Sequence, residues 1–202
     1  MHAESRKLMA ESYYAHISED GRVHSLREHL EGTAKLAAEF AGEFGAAGWG
    51  YLAGVWHDLG KYSPAFQKRI RAAAAGPEAH IEAKARVDHS TAGALHSVDR
   101  FSTPGNILAY LAAGHHAGLP DWQADETGRK ALAQRLKQHS LLDDAIKGHV
   151  PSEIMNHDMP TDRPQKGCDP ALWIRLLFSC LVDADFLDTE AFFDPDKASV
   201  RG

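Results

Sequence analysis

Apolar residues recur at three-to-four spacing along most of the chain, with polar residues filling the positions between them. In residues 25–44, SLREHLEGTAKLAAEFAGEF, Leu26, Leu30, Ala34, Ala37 and Phe40/Ala41 share one face, with Glu and Lys opposite. That is the pattern of an amphipathic helix. Residues 48–60, GWGYLAGVWHDLG, are almost wholly apolar and read as a shorter, central buried helix stopped by Gly60. Ser63 and Pro64 supply a cap and a first-turn proline for a helix over 63–76. Asp88 and Ser90 offer caps for a helix over 88–101. Residues 105–120 form another apolar helix, ended by Gly118 and Pro120, and 126–139 an amphipathic, more exposed one. Residues 148–170, rich in Pro, Gly and Asp, read as a long loop, and 170–193 as the longest apolar helix. Convincing period-two alternation, an Asn-Gly hairpin signal and internal repeats are all missing. The expected fold is all-α: one domain over 1–202, with its core at about 13–193 and a linker-like tail at 194–202.

Composition narrows the function. With 202 residues, 44% of them hydrophobic, the chain can bury one sizeable core. It has no apolar run of about 18 residues to span a membrane, and its first residues lack the apolar centre of a signal peptide. Cys168 and Cys180 are too few for a disulfide framework, so a reducing cytoplasm is the expected setting. A net charge of −6 argues against a broad basic face for duplex nucleic acid. It leaves room for a nuclease, because bound cations can supply positive charge where a phosphate sits.

The anomaly is 13 histidines. His29, the pair His57-Asp58, His89, the pair His115-His116, and Asp183 with Asp185 interrupt or edge segments that otherwise want burial. Each alone admits a plain structural reading, as a hydrogen-bonded pair, a helix-end dipole partner, a residue after a cap, or a solvated acid. A second pair, His157-Asp158, has no periodic apolar flank and serves as a control. Buried unpaired charges cost several kcal/mol, and one shared cause for so many is metal. Imidazole with carboxylate suits first-row ions such as Mn, Fe, Co, Ni or Zn. Neighbouring helical residues diverge by about 100°, so Asp58 suits a bridge between two ions. Two ions about 3.5–4 Å apart are the usual apparatus for displacement at phosphate. One ion would take His29, His57 and a late Asp, and the other His89, His115 and His116. Asp183 and Asp185 lie about 200° apart on a helix and cannot both face one ion. Lys61, one turn past His57, could contact a substrate phosphate or orient a metal-bound water.

The order EHLEGTA, HDLGK, DHSTAG, GHHAG and LVDADFLDTE resembles the HD-superfamily nuclease domain of type I CRISPR-associated helicase-nucleases, from about His16 to Phe193. HDLGK alone marks only the superfamily; DHS, GHH and ADFLDTE in this order mark the CRISPR branch. The resemblance implies an HD-superfamily helical domain, with a five-helix metal-binding core plus accessory helices. It further implies a site for two divalent ions (Mn, Ni, Co, Fe or Mg) and cleavage of single-stranded DNA. The implied partners are a helicase domain or subunit and an RNA-guided CRISPR surveillance complex. The implied ligands are His29, His57, Asp58, His89, His115, His116 and Asp185, with Asp58 and Lys61 as the catalytic pair. Asp185 is preferred to Asp183 because Ala184, Asp185 and Thr189 match the family spacing, with Thr189 available for a supporting hydrogen bond. No GxxxxGK[ST] phosphate loop occurs, so the chain is expected to be either a stand-alone version or a nuclease domain cut from a longer protein, and the linker-like tail FFDPDKASVRG favours the second.

Two other functions compete. An HD phosphohydrolase acting on nucleotides or cyclic dinucleotides should show a closed pocket with stacking aromatics. A non-catalytic docking module would use the metals structurally. Lys61, Lys68, Arg69 and Arg71, with Tyr62 and Phe66 for base stacking, could line an open nucleic-acid groove, although a solvated helix face is the plainer reading of this stretch.

Overall fold

The computed structural model describes residues 13–74, 87–123 and 131–201. It opens on an element the sequence pattern did not announce. Strands β1 (Tyr14–Ile17) and β2 (Val23–Ser25) pair antiparallel, with an irregular register between Tyr14 and His16. At four and three residues they are too short to display alternation. Their turn contains Asp20-Gly21, with Gly21 at φ +84°, which is the Asp-Gly hairpin signal that the search for Asn-Gly passed over.

Helix α1 (Leu26–Gly42) begins where the Ser25 hydroxyl accepts the Glu28 N–H at 3.2 Å. Its buried face carries Leu26, Leu30, Ala34, Ala37 and Ala41 as expected, with His29 and Thr33 on the same face. Helix α2 (Ala47–Trp56) is apolar all round and central. It stops at Trp56, and a 3-10 turn over Leu59–Tyr62 follows, so Gly60 lies inside this turn rather than ending a helix. The two helices meet through small residues. A Cβ on Gly54 would overlap the Ala34 backbone, and one on Gly50 would overlap the Ala37 carbonyl. This approach sets His29 beside the end of α2.

The remaining helices are α3 (Pro64–Ala74), α4 (Thr91–Phe101), α5 (Gly105–Gly114), α6 (Leu132–Arg135), α7 (Ser140–Lys147), α8 (Ser152–Met155), α9 (Pro170–Phe193) and α10 (Pro195–Arg201). Asp88 caps α4 by accepting the Thr91 N–H at 3.0 Å. Asp169 caps α9 ahead of Pro170. Residues 75–76 and 126–130 of the expected helices lie outside the described residues. The supposed loop at 148–170 contains the single turn α8, whose Ile154 carbonyl accepts the buried Trp56 indole N–H at 2.8 Å. The supposed linker folds as α10, tied to buried Glu190 by Lys197 at 2.5 Å and Arg201 at 3.3 Å. Apart from the hairpin the described architecture is helical, with α1, α2, α4, α5 and α9 surrounding a shared polar centre.

Gly54→Ala should destabilise the chain by about 1–3 kcal/mol, the usual penalty for overpacking. Thermal denaturation would read this as a melting point several degrees lower. An unchanged melting point would show that α1 and α2 part without penalty.

Candidate metal centre

Five helices deliver their polar residues to one place. His29 comes from α1, while His57 and Asp58 follow the end of α2. His89 precedes α4, and His115 and His116 follow α5. Asp185 comes from α9. Two devices align the loops. The Gly60 N–H donates to the His89 carbonyl at 3.0 Å, and a Cβ on Gly60 would overlap that oxygen, so the His-Asp turn can lie directly on the His89 backbone. Arg135 donates to the Thr91 hydroxyl at 2.8 Å, the Ser90 hydroxyl at 2.6 Å and the Ala113 carbonyl at 2.5 Å. It thereby ties the His89 segment to the end of α5. Nothing in its amphipathic sequence context distinguishes this arginine.

Asp58 sorts the ligands into two sets. Its Oδ2 lies 3.4 Å from His29 Nε2 and 3.3 Å from His57 Nε2, and Asp185 Oδ1 stands 3.4 and 3.5 Å from the same two nitrogens. Its Oδ1 lies 3.2 Å from His115 Nε2 and 3.5 Å from His89 Nε2, with His116 Nε2 2.8 Å from His89 Nε2. The sets are therefore His29, His57, Asp58 and Asp185, and Asp58, His89, His115 and His116.

The far nitrogen of each buried ring is engaged. His57 Nδ1 meets the Gly54 carbonyl and His115 Nδ1 the Ala112 carbonyl, both at 2.7 Å; His89 Nδ1 meets the Val87 carbonyl at 3.2 Å. A carbonyl only accepts, so Nδ1 carries the proton and Nε2 turns a lone pair inward. Nε2 of His29, His57 and His115 and Asp58 Oδ1 are buried without a hydrogen-bond partner, and Asp58 Oδ2 meets only the Lys61 ammonium besides the imidazoles. Each such atom costs about 1–3 kcal/mol if nothing meets it. Separations of 3.2–3.5 Å suit two atoms sharing an ion at about 2.0–2.2 Å from each. The residues fit a divalent metal at each set.

The family model described as Cas3, HD domain matches residues 15–175. The chain belongs to this family. Its members are HD-type metal-dependent nucleases, and the two His/Asp sets agree with such a centre. No curated protein matches the chain in sequence. The family match ends in the first two turns of α9, ahead of Asp185, so it is the geometry that sets Asp185 beside His29 and His57 in this Cas3-type HD domain.

The electrostatics are those of a site built for cations. Burial disfavours charge on His57, yet Asp58 and Asp185 outweigh it and raise the imidazole to about 10. Burial likewise opposes ionisation of Asp58, but Lys61 and His57 hold its carboxyl well below the usual range. Burial, with His115 beside it, lowers His116 to about 4. The same carboxylates that raise His57 would draw divalent cations to the centre. Lys61 is buried, its Nζ 2.6 Å from Asp58 Oδ2 and 3.5 Å from the Ala15 carbonyl. It stands against Asp58 inside the centre rather than on an outer face.

Other expectations change. Tyr62 and Phe66 are buried, at 2% and 5% exposure, so they are not placed to stack on bases. The 3-10 turn tucks Tyr62 into the core, and Phe66 packs against the His89 ring. The Thr189 hydroxyl lies 3.3 Å from His16 Nε2, making His16 the neighbour it supports. The control pair separates as anticipated: His157 packs edge-on against Tyr51 and Trp56, and Asp158 is exposed. Asp183 is exposed beside Phe40, Phe186 and Arg201. Three polar neighbours of His29 escaped the sequence reading: His16 and His24 on the hairpin, and Asp188 on α9. Asp188 could have been found from its spacing, three residues past Asp185.

Asp185→Asn should lower bound metal and activity together, whereas Asp183→Asn should change stability at most. Elemental analysis after loading with Mn distinguishes the two. Full metal retention in the Asp185 variant would remove it from the ligand set.

Proposed function

We propose that this Cas3-type HD domain is a two-metal nuclease that cuts single-stranded DNA in type I CRISPR interference. The observation that carries the reading is Asp58, which turns one oxygen toward each of two ligand sets. Bound there, two divalent ions (Mn, Ni, Co, Fe or Mg) supply a water of lowered pKa and offset charge on the scissile phosphate. Asp58 spans the two positions. His29, His57 and Asp185 hold the first, and His89, His115 and His116 hold the second. Lys61, released from its share of Asp58, acts on substrate phosphate or on the attacking water.

The approach is from one side. His29, His57 and Asp58 are sealed, while Asp185 and His89 keep 17% and 18% of their side-chain surface and His116 is exposed. An open rim of this kind admits a strand more readily than it encloses a nucleotide. An apolar cleft of about 390 Å³ lined by Trp49, Ile107 and Trp173 lies away from this centre. The acidic net charge offers no broad surface for two backbones. A helicase, fused or separate and recruited by an RNA-guided complex, would supply the separated strand. Among the described residues no helix is long and apolar enough to cross a membrane, and the proposed setting is the cytoplasm.

Labelled single-stranded DNA, blunt duplex, mononucleotides and cyclic dinucleotides should be incubated with the protein and each metal, using Asp58→Ala as the inactive control. Single strands should be cut fastest. Preferential turnover of a mononucleotide or cyclic dinucleotide would favour the phosphohydrolase reading, and no turnover with metals bound would favour a docking module.

Lys61→Ala should keep near-wild-type metal content while losing cleavage. Parallel loss of metal, read by elemental analysis, would make Lys61 a structural partner of Asp58 instead.

A further inference from the structure

Asp188 belongs to neither ligand set, yet its carboxylate reaches α1. Its Oδ2 lies 2.7 Å from His29 Nδ1, and only 14% of its side chain is exposed. His29 is thus unlike the other inward-facing histidines. His57, His89 and His115 give their outer N–H to neutral carbonyls, whereas His29 gives its own to an anion. A charged acceptor makes a stronger hydrogen bond and a more basic opposite nitrogen. Asp188 also sits three residues after Asp185, so one face of α9 presents a ligand and the orienter of a second ligand.

The space for it is made by Gly32. A Cβ there would overlap Asp188 Oδ1, the free end of a side chain that can swing away. Glycine is a poor residue for the middle of a helix, and at this position its missing side chain is what lets the carboxylate lie against α1.

His24 stands on the same carboxylate, its Nε2 3.7 Å from Asp188 Oδ2. His16, His24 and His29 bring ligand atoms within 4.8 Å of one another. A third dication there is opposed by charge. Two dications and Lys61 already set five positive charges against Asp58, Asp185 and Asp188, and a third would make it seven against three. The trio is better read as the outer layer around His29.

We propose that Asp188 is the positioning residue of the first ligand set, holding His29 with Nε2 toward Asp58 and Asp185, and that Gly32 keeps the space open for it. The inference rests on the two-metal reading above. Mn titration by calorimetry, with Mn counted by electron paramagnetic resonance, tests it on the whole chain, beside thermal melts without metal. The wild type should bind two ions. Asp188→Ala should weaken one of them by about 10–100-fold, the usual effect of removing such a partner, and leave the other unchanged. Asp188→Asn should lose less, because its amide oxygen can still accept from Nδ1. Gly32→Ala should reproduce the selective loss while melting at or above the wild-type temperature, since alanine favours a helix. Excess Mn should restore cleavage in all three. Wild-type affinity at both sites in Asp188→Ala and Gly32→Ala would overturn the inference alone, as would equal weakening of both sites. A wild type that binds no Mn would overturn the two-metal reading with it.

Discussion

A carboxylate in a place with no water organises this molecule. Asp58 is fully buried, flanked by four imidazoles and by the Lys61 ammonium. An anion so placed is strongly unfavourable unless cations surround it. The residues around it come from α1, α2, the approach to α4, the end of α5, and α9, so satisfying one side chain requires five segments to meet. The apolar core supplies the bulk of the packing, but it does not specify where those five segments cross.

That specification lies in the small residues. Gly54 and Gly50 bring α1 onto α2, Gly60 brings the His-Asp turn onto His89, and Gly32 admits Asp188 beside α1. At each position the absent side chain is filled by another element's backbone or carboxylate. Such contacts set distances more finely than large apolar residues do, because backbone has no rotamers with which to adjust. The centre therefore inherits its spacing from helix packing, and Arg135 adds a long-range clamp.

Much of this was legible in the chain. A polar pair within an apolar run is conspicuous because burial makes it expensive, and the angle between helical neighbours already suggested that Asp58 reaches two ways. The choice of Asp185 over Asp183 needed only that same angle and a likeness in spacing. Other features depended on partners distant in sequence. Asp188 looks like any acid near a helix end until Gly32 and His29 appear opposite it. The hairpin was too short to alternate, and its Asp20-Gly21 turn was the one sign of it. Tyr62 and Phe66 read as stacking aromatics because they neighbour basic residues, but the turn that forms the centre draws both inward. Helix α10 was hidden in a polar tail because its anchor, Glu190, lies on another helix.

The placement of Asp185 and Asp188 on α9 has a consequence for timing. A chain emerging during synthesis presents His29, His57, Asp58, His89, His115 and His116 well before α9 is made. Until that helix emerges, the first set lacks one of its two carboxylates and the partner that orients His29. Domains generally fold as units, so the centre would be completed only when α9 joins the helices made before it. On the proposed two-metal reading, competence to cut would arrive only with this last helix.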